Sequence, residues 1–186
     1  MGLLDKFIAK QMAKLPDYRA EVGNRLAGGD RVLAVSVGMN RASSKSLNEI
    51  TLIDQRSARS RLVGKALAGV TDAVSQARHI DGDDDSVAVA SVPDVGDAIV
   101  IALSESALSF WSFGPTNTDV PPTPLGSIPR DRVASITQTG RIPGPAGKGY
   151  LTARLSFVDG SWVDYSIADE TSYPEFWSVA TGFGQP

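Results

Sequence analysis

The stretch GPAGKG at 144–149 places glycines around a lysine, the raw material of a phosphate cradle. A P-loop needs Gly-x-x-x-x-Gly-Lys-Ser/Thr opening a helix, so that backbone N–H groups wrap the phosphates and a hydroxyl reaches magnesium. Counted back from Gly147, the first glycine position is Ile142, and Lys148 is followed by Gly149. The motif fails, and a hairpin loop is the reading. Arg141 and Lys148 remain candidates for anion contact through side chains and backbone N–H groups. Asp81, Asp83 and Asp85 have the spacing of the first three calcium ligands of an EF-hand loop. Ser86 stands where that loop needs glycine and Val92 where it needs a bidentate glutamate, so selective calcium binding is not expected. His79 is the only histidine and there is no cysteine. An ordinary zinc site is therefore out of reach, and His79 reads as a surface residue. No Gly-x-Ser-x-Gly elbow occurs. The carboxylate pair Asp169-Glu170 lies near a helix start, where it favours the dipole. No nucleophile, base and oxyanion donors come together in the pattern, so the chain is expected not to be an enzyme, with no catalytic, cofactor or metal residues.

Composition narrows the class. The chain has 186 residues, 42% hydrophobic and 21% charged, enough to bury a core without disulfides. The formal net charge is −3, which argues against nucleic acid as a partner. Residues 41–80 are rich in Arg and Lys, residues 81–97 carry Asp and no base, and the adjacent blocks are expected to neutralise each other. MGLLDKFIAKQMAKLP has lysines spread through it rather than a signal-peptide core, and no stretch approaches a transmembrane length. A cytoplasmic location is the expectation, with a membrane-peripheral one as the alternative.

The elements follow from periodicity. Residues 3–15 predict an amphipathic helix with Leu4, Phe7 and Ile8 on the apolar arc and Lys6, Lys10 and Lys14 beside it. Tyr18, Val22 and Leu26 recur at a spacing of four, with Gly28-Gly29 as the stop. RVLAVSVG (31–38) reads as the first strand, ITLID as a short strand, and about 56–76 as a helix. DGDDD is a solvated loop, SVAVASV a strand, and DAIVIALSESALSFWSF a hairpin turning at Ser104-Glu105-Ser106. PTNTDVPPTP reads as a proline-rich loop and RVASITQT as a strand.

YLTARLSF and SWVDYSI make the last hairpin. A three-residue loop, Val158-Asp159-Gly160, opposes Leu155 to Val163, Ala153 to Tyr165 and Leu151 to Ile167, so one face becomes apolar. Gly160 then takes the left-handed position of a bulged turn. Ser172 and Glu175 have capping-box spacing before a final helix whose apolar face is Phe176, Val179, Ala180 and Phe183.

Within the first hairpin, LSFWSF (108–113) puts Leu108 and Phe110 on one face and Trp111 and Phe113 on the other. Both faces must be covered, since clustered aromatics are uncommon on a soluble surface. The chain's own helices are the favoured cover and a second subunit the alternative.

Three stretches, VIALSESALSFWSFG, LGSIPRDRVASI and LTARLSFVDGSWVDYSI with EFWSVATGF, resemble a bacterial pleckstrin-homology-like (PH-like) domain. The order of helix, strand and this block also resembles small actinobacterial proteins. The resemblance covers about 86–186 plus strand 31–38. It implies an α+β fold: a bent antiparallel sheet, or partly open barrel, capped by a C-terminal helix. On that reading residues 1–30 are a helical arm, and 31–186 are the domain with a helical insertion at about 41–85. The expected role is a non-enzymatic binding module for a protein partner or a second copy, with Trp111, Phe113, Leu4, Phe7 and Ile8 as candidate interface. The alternative is a weak contact with an anionic membrane surface through Lys6, Lys10, Lys14, Arg141 and Lys148.

Overall fold

The structure is a computed structural model that describes residues 15–41, 79–142 and 150–184. The helices read at 3–15 and 56–76 and the ITLID strand fall outside those residues, apart from Leu15. The described elements are α1 (Tyr18–Gly23), β1 (Val32–Asn40), β2 (Ile80–Asp81), α2 (Val87–Ser91), β3 (Ile99–Ser104), β4 (Ala107–Ser112), β5 (Thr123–Pro129), β6 (Val133–Ile142), β7 (Tyr150–Phe157), β8 (Trp162–Ala168) and α3 (Pro174–Ala180).

All strand pairs are antiparallel, in the order β5-β4-β3-β1-β8-β7-β6, with β2 added to β8. Laid flat, seven strands would hold β5 and β6 about 29 Å apart. Yet only the 3₁₀ turn Arg130–Arg132 joins them, a reach of about 10 Å. The sheet must therefore curl until its two edges meet at that corner. The corner is pinned on both sides: Arg130 N donates to Ser106 O (2.7 Å), and Val158 N donates to Arg132 O (3.0 Å). Beyond the corner β5 and β6 share no ladder among the described residues, so the roll stays open there. The two later helices pack across it: α2 against β5, β7 and β8, and α3 against β1, β3 and β6.

The roll encloses one apolar core. Ile99, Ile101, Leu103, Leu108, Phe110, Leu155, Val163, Tyr165, Ile167, Phe176 and Phe183 are all essentially inaccessible. The last hairpin has the expected register, with Leu151 opposite Ile167, Ala153 opposite Tyr165 and Leu155 opposite Val163. Gly160 adopts φ 87°, the left-handed conformation that this turn requires.

Several expectations are corrected. SVAVASV is not a strand: Val87–Ser91 is a helical turn. Its β-branched residues are overruled by acceptors waiting for its first N–H groups. Asp159 Oδ2 takes Val87 N (2.8 Å), Ser161 Oγ takes Ala88 N (3.1 Å) and Ser86 Oγ takes Val89 N (3.4 Å). The end of the proline-rich loop is strand β5, where Pro124 and Pro129 are tolerated because the strand is an edge. Helix α1 stops at Gly23, with Asn24 as C-cap, rather than at Gly28. Tyr173, not Ser172, is the N-cap of α3, because Pro174 occupies the first helical position; the capping box falls one residue out of register.

Candidate functional site

The outer face of the sheet carries the residues singled out for interaction. Val100 and Ala102 of β3, and Trp111 with Phe113 after it, point away from the enclosed core and form a second apolar cluster with Tyr18, Val22 and Val32. The cover is α1. The Tyr18 ring meets Phe113 edge-on at 4.7 Å, and Tyr18 Oη donates to Asn117 O at 3.0 Å. Burial, with Tyr173 adding, pushes the Tyr18 phenol up to about 12. Trp111 Nε1 donates to Ser109 Oγ at 2.9 Å. Trp111 and Phe113 are 5% and 0% exposed, so neither presents a free surface: the chain's own helix occupies the face they were expected to offer. Leu4, Phe7, Ile8, Lys6, Lys10, Lys14 and Lys148 lie outside the described residues.

Arg141, the described member of the candidate anion set, is tied down. Its Nη2 donates to Asp169 Oδ2 at 3.1 Å, and Asp169 is fully buried and also accepts from Thr171 Oγ1 (2.5 Å). Gln138 Nε2 reaches Glu170 Oε1 at 3.1 Å. The Asp169-Glu170 pair therefore fastens β6 to the segment leading into α3, instead of serving a helix dipole.

His79 is not a surface residue. Its Nδ1 lies 3.2 Å from Asp164 Oδ2, and its side chain is 14% exposed. Arg154 donates to both oxygens of the same carboxylate, from Nε at 2.9 Å and Nη2 at 3.2 Å, while its guanidinium stacks 3.4 Å from the Trp162 ring centroid. Burial by itself would raise the Asp164 pKa; the bonds from His79 and Arg154 outweigh it and hold the carboxyl below its ordinary value. The bond to Asp164 in turn raises Arg154. Arg41 is half-buried beside this group, donating from Nη1 to Thr152 Oγ1 at 2.7 Å. Desolvation lowers its pKa and Asp164 opposes the shift. Sequence reasoning missed this cluster. The polar residues at 154 and 164 on opposing strands were its only signal, and His79 and Arg41 join them solely through the fold.

A shallow groove of about 630 Å³ lies between α1 and the start of β1. Its cations are already paired: Arg19 with Glu175 at 3.0 Å, and Arg31 with Glu105 at 2.7 Å. Among the described residues no group of His, Asp and Glu could hold a metal ion, and no helix is long and apolar enough to cross a membrane.

The two edges of the sheet differ. On β5, Pro124 and Pro129 withhold donors, and over its face Ser91 O approaches Gly126 so closely that a Cβ there would lie 3.0 Å from it. On β6, residues 137–141 are exposed, and none is proline or lysine. No described strand pairs with the outer side of β6. The chain matches no family model, no curated protein and no solved structure.

Proposed function

We propose that the chain is a non-enzymatic binding module built on a PH-like roll, and that it assembles with a second copy of itself through the outer edge of β6. The single observation that carries this is the β6 edge, with which no described strand pairs, set against a β5 edge interrupted by Pro124 and Pro129. An unpaired edge exposes a row of N–H and C=O groups and is a template for another strand. Two copies of this edge can meet antiparallel about a two-fold axis. Repulsion is weak, because the only charge in 137–141 is Arg141, already neutralised by Asp169. A bulge between Gln138 and Gly140 limits the ladder to short stretches, so the association is reversible. The PH-like reading is supported by the open antiparallel roll and by α3 packing across it.

Sedimentation velocity over a concentration series tests the proposal. The full chain is expected to gain mass with concentration, and Thr137→Lys, which sets like charges on the paired edges, to shift that gain to higher concentration. A chain that stays monomeric throughout, or association untouched by Thr137→Lys, overturns it. Flotation with anionic liposomes checks the membrane alternative: flotation that is lost on removing residues 1–16, in a chain that stays monomeric, would favour that reading instead.

A further inference from the structure

We infer that β1 and β2 are two halves of one strand, and that residues 42–78 are an insertion grafted into it at a single joint opposite Asp164. Both halves pair with β8 in the same direction: Gly38, Met39 and Asn40 face Ile167, Ser166 and Tyr165, while Ile80 and Asp81 face Val163 and Trp162. Only Asp164 stands between those two runs of partners. In an antiparallel ladder a hydrogen-bonded residue exchanges both backbone bonds with one opposite residue. Here Asp164 exchanges them with two. Arg41 N donates to Asp164 O at 3.0 Å, and Asp164 N donates to His79 O at 2.8 Å. Arg41 thus supplies the N–H of the missing partner, and His79 supplies its carbonyl.

Side-chain alternation continues through the break. Asn40 is buried and reaches Pro93 O, and Ile80 packs against the enclosed core. Arg41 and Asp81 lie on the opposite face, where Asp164 acts on Arg41 and Asp81 acts on Arg154. An in-phase pattern on both sides of a cut is what an uninterrupted strand would show. The Asp164 carboxylate then reinforces the joint by receiving the His79 ring. The pairing along β8 is accordingly filled across the joint by described residues on its two sides.

Excision tests this. Two deletions keep the lane in register: one removes 42–79 and keeps Arg41 as the partner of Asp164, and the other removes 41–78 and keeps His79. Both are expected to give folded protein with a cooperative melt close to that of the full chain, because the ends of the intervening segment no longer have to be brought together, which offsets the loss of the Arg41 or His79 side chain. Cross-strand NOEs should still place Asn40 opposite Tyr165 and Ile80 opposite Val163. Removal of 42–78, one residue fewer, forces an extra residue into the lane and should melt lower than either. If both in-register deletions are unfolded, or are no more stable than the off-register one, the inference is overturned.

Discussion

Two apolar clusters lie back to back across β3 and β4, and they are built differently. The enclosed cluster draws on β1, β3 to β8, α2 and α3, so each side chain is held by neighbours distant in sequence. Among the described residues, the outer cluster has three strands on one side and, on the other, the six-residue α1 flanked by Leu15 and Leu26. Strand β3 is buried at every position because it serves both. A helix that short has little stability of its own and persists through the packing of Tyr18 and Val22. The contrast teaches that equal burial need not mean equal rigidity. The enclosed core is fixed by a curled sheet, whereas the outer one depends on a lid of a few residues.

Phe110 and Phe113 give the sharpest comparison, since both are fully inaccessible and they belong to opposite clusters. Phe110→Ala should cost about 5 kcal/mol, near the top of the range for emptying such a site, because the surrounding strands cannot collapse. Phe113→Ala should cost about 3 kcal/mol, because α1 can settle into the space. Denaturant unfolding with unchanged m-values would measure both. Equal costs would break the distinction between a rigid and a relaxing cluster.

A third patch, polar rather than apolar, completes the outer face around Asp164. Asp164→Asn should cost about 1–3 kcal/mol at neutral pH, through the charged hydrogen bonds from Arg154 and His79. The Asp164 pKa is depressed on folding, so the stabilisation is fully present above the unfolded value of about 3.9 and is lost as pH falls through the lower folded value. The gap between wild type and variant should therefore close in acid. A gap that stays constant from pH 7 to pH 2 would mean that the carboxylate charge contributes nothing.

The smallest effect is expected inside the roll. Tyr165 stacks on Phe110 at 5.8 Å, but its hydroxyl is buried and has no partner among the described residues. Burial, with Asp94 adding, pushes its pKa far above the ordinary phenol value. Tyr165→Phe should be neutral or stabilising, by less than about 1 kcal/mol, because it removes a polar atom that gains nothing on folding. A loss of more than about 2 kcal/mol would show that the hydroxyl is satisfied in solution.

Local patterns were legible wherever a face had to be uniformly apolar. The register of the last hairpin and the buried face of α3 followed from that rule, while the turn at Glu105 followed from the polar Ser-Glu-Ser step between two apolar runs. The burial of Trp177, whose Nε1 donates to Ala168 O at 2.9 Å, was missed because it lies beside the apolar stripe. The strand predicted at 86–92 failed for a different reason. Val87, Val89 and Val92 have β propensity, but Asp159 and Ser161, far along the chain, cap the turn as a helix. The candidate site fared worse: Arg141 looked free to bind an anion until the fold brought buried Asp169 to it.

By itself the sequence determined which residues had to leave water and in which alternation, because that information is carried by neighbours two to four positions apart. It also determined that Trp111 and Phe113 required a cover. Only the tertiary structure decided what that cover is, which edge of the sheet pairs with no described strand, and that Arg41 and His79 share one partner. Those outcomes depend on strands whose separation along the chain leaves no periodic trace, and on a curl imposed by a three-residue corner between the two ends of the sheet.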